Sequence, residues 1–277
     1  MLAKLIAILS ILIGIAGLVL PIVPGILMIA LGVLLLFYRE KHEEINRVVN
    51  EKAPILLADF YNNFIHGIIL PRHYIGVDWP WVKKQILRTE KMNPYNKNER
   101  AETIRLALDE CMRKARSLSM PKHTFIEKKI TALKDDSIEI EGGIKFYAKK
   151  TILFIRGASH LVLFLVTIGD GIEKEASLFT LDKDPLKGYL LDRIGSFAVE
   201  SLADKLEKRL RKDYALNKKS ISSRFSPGCC DWPIEEQFKM AKVIDFSKIG
   251  VSLSEGRMMV PKKSISAIVV VADEGVF

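Results

Sequence analysis

The chain has 277 residues, 49% of them hydrophobic, and a formal net charge of +9. That length admits one large domain, or one mid-sized domain with an appendage, and excludes an assembly of several full-sized domains. A positive balance by itself admits nucleic acid, anionic lipid or an acidic protein as partner, and the placement of charge along the chain decides among them. Charge vanishes from Leu5 to Phe37, LIAILSILIGIAGLVLPIVPGILMIALGVLLLF, a run too long for a signal-peptide core and with no small-residue cleavage site after it. As one continuous helix it would extend roughly 50 Å, against a hydrocarbon core of roughly 30 Å, so it has to bend or tilt. Pro21, Pro24 and Gly25 supply the break. The break gives either a shallow hairpin or one kinked, tilted span. Arg39, Lys41 and Arg47 follow the run, so the positive-inside rule puts everything after Phe37 in the cytoplasm in either case. The expectation is an inner-membrane segment at 1–37, with the membrane rather than nucleic acid as the partner of the basic charge.

Residues 38–70 are mixed and amphipathic, with Ile45, Val48, Val49, Ile55, Leu56 and Phe60 among charges and Pro54 interrupting, and read as a juxtamembrane helical linker. Pro71 and the Trp-Pro-Trp at 79–81 suggest a fresh start, so the third segment is placed at 71–277. Asn98 is an N-cap candidate for a helix to about Leu118, with Ile104, Leu108, Met112 and Ala115 on one stripe and Cys111 beside it as a small core residue. Ser137 to Glu141 alternates with period two, Gly142-Gly143 marks a turn, and Ile144 opens another strand. The denser apolar runs Ile152–Ile155 and Leu161–Ile168 read as buried strands. Gly169 and Gly171 lack the rest of a phosphate-binding fingerprint and are read as an ordinary turn.

The longest helical signal runs from Pro185 to Tyr214, with Leu190, Ile194, Phe197, Ala198, Leu202 and Leu206 as its apolar stripe and Gly195 and Ala198 open to a close neighbour. Glu200 and Glu207 fall opposite that stripe, which by pattern alone makes both part of a solvated face. The basic residues from Lys205 to Lys212 suit the carboxyl end of the helix dipole. A strand at Ile221–Phe225, a turn at Ser226-Pro-Gly228, a short helix at Ile234–Val243, a strand around Ile249–Leu253 and a closing strand at Ser264–Ala272 complete the chain. The fold class expected is α+β, a mixed and largely antiparallel sheet with long packed helices, preceded by the membrane segment.

Four stretches carry a family resemblance: Phe164 to Gly171 (FLVTIGDG), Asp192 to Asp204 (DRIGSFAVESLAD), Arg224 to Gly228 (RFSPG) and Ile249 to Ser266 (IGVSLSEGRMMVPKKSIS). In this order, over about Thr151 to Val271, the chain resembles the reactivation domain of cobalamin-dependent methionine synthase, and in particular its shorter stand-alone relatives. The resemblance implies a domain that binds S-adenosylmethionine and supplies its methyl group to a partner's inactive Co(II) corrinoid while a flavoprotein or other donor provides an electron. It also implies an Arg-x-x-x-Gly-Tyr ligand motif preceded by an acidic residue on the long helix. Arg224 and Gly228 take the motif positions, Phe225 lies within it, and Glu200 takes the acidic one. Those residue types suit a methionyl ligand, because a guanidinium grips a carboxylate with two bonds, a carboxylate pairs an ammonium, and a Pro-Gly turn brings backbone close.

Cys229 stands where the family has its tyrosine, removing an aromatic surface and a hydroxyl, and the closing strand is followed by only a few residues up to Phe277. No Asp-x-His-x-x-Gly corrinoid-ligand signature is present, so cobalamin is expected to arrive on a partner, either a separate corrinoid protein or a methionine synthase. Adjacent cysteines cannot form a C-x-x-C clip, and no metal site of the protein's own is expected. A structural disulfide between Cys229 and Cys230 is not expected either. Two functions remain open: a membrane-tethered activator that binds S-adenosylmethionine, or a non-catalytic corrinoid-protein scaffold or ligand sensor on the same fold.

Overall fold

The computed structural model describes residues 75–91, 98–147, 157–182 and 184–277, apart from the side chain of Arg100. The apolar run at 5–37, the linker at 38–70 and the expected strand at 152–155 lie outside the described residues. No described helix is long and apolar enough to cross a membrane.

Helix α1 (Trp79–Thr89) starts where Asp78 accepts from the Trp81 N–H at 3.1 Å and a proline occupies the first turn, since that position has no helical partner for an N–H. Helix α2 (Glu99–Leu118) is capped by Asn98, which accepts from the Ala101 N–H at 2.8 Å, in agreement with the sequence reading. Leu108, Met112 and Ala115 are buried, with Cys111 among them, while Ile104 is only partly covered. Burial pushes the Cys111 thiol up to about 12, reinforced by the nearby Glu110 carboxylate.

The strands are β1 (Lys122–Leu133), β2 (Ser137–Ile140), β3 (Ile144–Tyr147), β4 (His160–Thr167), β5 (Lys219–Ile221), β6 (Ser252–Leu253), β7 (Met259–Val260) and β8 (Ser264–Asp273). Six of them form one sheet in the order β3-β2-β1-β4-β8-β5, with every neighbouring pair antiparallel, and β6 and β7 form a separate hairpin. Central strands β4 and β8 are nearly continuous apolar runs because both faces are covered. Val162, Phe164, Val166, Ala267, Val269 and Val271 face one core, shared with α1, α2, α3 (Gly171–Leu181) and α4 (Pro185–Ala215). Leu161, Leu163, Leu165, Ile268 and Val270 face a second core, closed by Trp232, Met240 of α5 (Glu236–Val243), Ile244, Phe246 and Ile249.

Four local differences separate the structure from the sequence reading. Strand β1 was not anticipated, because its lysines and glutamate break the apolar alternation on a strand that is only half covered. Helix α3 was not anticipated either, because Ile172 and Ala176 are its only buried residues. The strand expected at 221–225 is regular only to Ile221; Ser222 still donates its N–H to the Val270 carbonyl at 3.0 Å but accepts from the Val270 N–H through its side chain, and the chain then returns to β8 as a Phe225–Ile268 bridge. The segment around Ile249 is a 3-10 turn, Phe246–Ile249, capped by Asp245 and ended by Gly250 at φ 76°, before the two-residue strand β6.

Gly169 does turn the chain, at φ 76°, whereas Gly171 opens α3 against the end of α2. A Cβ on Gly171 would lie 2.8 Å from the Leu118 carbonyl oxygen and 3.2 Å from its Cβ, so the two helix ends meet only because that atom is missing. Gly171→Ala is expected to lower the urea unfolding free energy by about 2 kcal/mol, the overpacking cost exceeding alanine's better helix propensity.

Candidate functional site

The long helix α4 begins on Asp184, whose carboxylate accepts from the Lys187 N–H at 3.2 Å, with Pro185 in the first turn. Its expected stripe packs inward, and Gly195 lets Ile172 and the Lys263 stem approach to where a Cβ would meet each at 3.1 Å. Lys263 is almost fully buried and donates to Asp192 at 2.7 Å and to Ser196 at 3.0 Å, which satisfies its ammonium.

About one, two and three turns beyond Ser196 lie Glu200, Asp204 and Glu207, spaced so that all three fall on one flank. The strand region after β5 runs past that flank. Neighbouring residues on an extended chain point to opposite faces, so Phe225 packs into the second core while Arg224 reaches α4. The Arg224 guanidinium donates to Glu200 at 2.6 Å and to Asp204 at 2.5 Å, with Glu207 at 3.4 Å. Arg211 shares Glu207 at 3.0 Å and holds the departing strand through the carbonyls of Ile221, at 2.6 Å, and Ser222, at 3.2 Å. Three carboxylates therefore surround two guanidinium groups and leave one net negative charge. Burial pulls the Arg224 guanidinium down, but the Asp204 bond and the charges of Asp204, Glu200 and Glu207 outweigh it and leave the group above its ordinary value.

The two glutamates differ. Glu200, at 48% side-chain exposure, sits at the open rim, whereas Glu207, at 16%, is covered by the two arginines. The solvated face read from the pattern therefore holds for Glu200 only in part and fails for Glu207, because periodicity registers the helix's own core and is blind to a neighbouring strand. Asp204 and Arg211 were not singled out as site residues. The i, i+4 spacing of Glu200 and Asp204 is the only trace of the pairing in the sequence.

After Arg224 the chain turns at Gly228, with φ 85° and its N–H bonded to the Trp232 carbonyl at 2.8 Å. The left-handed φ is what requires glycine here. Cys229 and Cys230 stand exposed on this turn, and Trp232 plugs it into the second core edge-on to Phe146, ring centroids 5.9 Å apart. The structure thus joins Arg224 directly to Glu200 and sets Gly228 and Cys229 in one turn that starts four residues later, while Phe225 is turned away as packing. Among the described residues, no three His, Cys, Asp or Glu side chains are grouped to hold a metal ion.

The sequence model of the vitamin B12 dependent methionine synthase activation domain matches residues 146–276. That is the similarity which the four motifs pointed to. The activation-domain match runs from the end of β3 through β8 and takes in α4, Arg224 and the Gly228 turn. A crystal structure of the MetH reactivation domain bound to AdoHcy shares the fold, with a TM-score of 0.51 at 18% identity, covering 70% of this chain and 73% of that one. No curated protein matches the chain.

Proposed function

We propose that this protein is a membrane-tethered, cytoplasm-facing accessory factor that binds S-adenosylmethionine and presents its methyl group to a partner's inactive corrinoid. The observation that carries the reading is the direct pairing of Arg224 with Glu200 within the span similar to the activation domain. Both ends of a methionyl group are thereby provided for: Arg224 for its carboxylate, and the rim carboxylate of Glu200 for its ammonium. Ligand entry exchanges partners, since Glu200 releases Arg224 as it takes the ammonium, while Asp204 and Glu207 keep the guanidinium in place. The net negative charge left among these side chains suits a ligand whose sulfonium is cationic. When the methyl group departs, the sulfur–carbon electron pair stays on sulfur and the ligand becomes a neutral thioether. The partner's corrinoid, reduced by a separate flavoprotein or other donor, supplies the cobalt that takes the methyl group. This chain's part is positioning. The apolar run at 5–37 is assigned to the inner membrane by its length and lack of charge.

Calorimetric titration of the full chain in detergent with S-adenosylmethionine tests the reading; no heat at millimolar ligand sinks it. A second assay follows the visible spectrum of a Co(II) corrinoid protein with reductant and S-adenosylmethionine, with and without this chain. The rival reading, a scaffold or sensor that performs no transfer, draws support from the saturation of Arg224 by carboxylates and from Cys229 in the tyrosine position. Binding without any chain-dependent spectral change would select it. Cys229→Tyr restores the missing aromatic surface and is expected to tighten S-adenosylmethionine binding by about 1 kcal/mol, roughly five-fold in the calorimetric dissociation constant.

A further inference from the structure

Two exposed thiols on the Gly228 turn are unused by the function just proposed. We propose that Cys229 and Cys230 form a vicinal dithiol capture site for trivalent arsenicals, a modification site separate from methyl transfer.

Consecutive residues of an extended chain point to opposite sides, which keeps adjacent thiols apart. Here the backbone turns left-handed twice, at Gly228 with φ 85° and again at Cys230 with φ 57°. For a residue with a Cβ that conformation is sparsely populated and costs on the order of 1 kcal/mol or more, so the surrounding structure has to impose it. The imposing contacts are the Gly228 N–H on the Trp232 carbonyl at 2.8 Å, the Cys229 N–H on the Ser226 carbonyl at 3.1 Å and the Trp232 N–H on the Cys229 carbonyl at 3.1 Å. Trp232, buried at the end of the turn, is a partner in the first and third of these and ties them to the second core. The product of this geometry is a pair of solvent-exposed sulfurs 3.7 Å apart.

The number of donors selects the ligand. A zinc site needs at least three protein ligands, and among the described residues no group of three is available. A direct disulfide would close across Cα atoms about 3.8 Å apart, below the usual range of about 4.4 to 6.8 Å, and would be strained. A monosubstituted trivalent arsenical carries its third substituent with it and needs two thiols only, and the extra atom in the ring relieves that strain. The step balances without an oxidant. In the reaction with an arsenoxide R–As=O, two S–H bonds break, two As–S bonds form, the oxide oxygen leaves with both protons as water, and arsenic remains trivalent. The hydrogen bond shared with Cys229 holds the Cys230 thiol above its ordinary pKa, so the step is written from the thiol form, with both protons leaving in the water.

Cys111 is an internal control, being buried in the helical core with its thiol pushed up to about 12. The experiment uses the reduced full chain in detergent, titrated with phenylarsine oxide and followed by intact mass and thiol titration. The expected result is one phenylarsenic per chain, bound with loss of one water and of two titratable thiols. It should resist excess monothiol and be stripped by a small dithiol such as dimercaptopropanol. Cys229→Ser and Cys230→Ser should each lose the monothiol-resistant adduct, whereas Cys111→Ser should retain it. An adduct that a monothiol removes from the unaltered chain, or one that survives in either single exposed-cysteine variant, overturns the proposal. None of these readouts depends on S-adenosylmethionine, so failure here and failure of the proposed function are told apart.

Discussion

Arg224→Ala is expected to weaken S-adenosylmethionine binding about a hundred-fold in calorimetry, corresponding to about 3 kcal/mol for a charge-assisted, two-bond contact. The same change removes the cation that Glu200, Asp204 and Glu207 share, leaving three neighbouring carboxylates with Arg211 alone. The cluster is only partly shielded from solvent, so the stability loss is expected to be about 2 kcal/mol in urea unfolding, below the cost of breaking a fully buried pair. Two companions separate charge from geometry. Arg224→Lys keeps the charge but cannot fork between Glu200 and Asp204, so it should keep most of the stability and still lose at least about ten-fold in affinity. Arg224→Ala combined with Asp204→Asn should regain stability relative to Arg224→Ala, because one uncompensated carboxylate has gone. If binding survives Arg224→Ala intact, the activity can stand but the site assignment cannot.

Trp232→Ala is expected to cost about 3 to 5 kcal/mol, read as a fall in the urea midpoint at unchanged slope. The indole is 3% exposed, packs edge-on against Phe146 and ties the Gly228 turn to the second core. Its Nε1–H finds no acceptor among the described residues, so its contribution is packing rather than a hydrogen bond. Trp232→Phe, which keeps a ring in that space, should therefore lose much less, about 1 kcal/mol. The turn's backbone bonds run through main-chain atoms and persist in both variants. Weakened ligand binding in Trp232→Ala but not in Trp232→Phe would show that the turn works only when anchored. Equal, large losses in both would mean that the indole N–H has a partner of its own.

Much of the framework was legible in the sequence because its signals are local. Asn98 announces its helix by a side chain that serves the next turn, Gly142-Gly143 announces a hairpin, and the apolar density of Leu161 to Ile168 announces a strand covered on both faces. The elements missed include β1, whose charged residues sit on a half-covered strand, α3, which buries two side chains only, and α1, of which the sequence reading took only the Trp-Pro-Trp as a fresh start. At the site, the types and order of Glu200, Arg224 and Gly228 were legible through resemblance. That Asp204, Glu207 and Arg211 belong with them was not, because their pairing depends on where a strand some twenty residues away comes to lie.

By itself the sequence determined the α+β class, the span of the long helix, the core stripe along it and the glycine needed at 228, since each follows from propensity, periodicity or the permitted φ of a single residue. Tertiary structure alone decided that Arg224 reaches three carboxylates while Phe225 turns into the opposite core. It also decided that Gly171 is a point of helix contact and that two adjacent thiols face the same way. These are consequences of antiparallel pairing to β8 and of the packing beneath the turn, and contacts between distant segments leave no period in the chain that makes them.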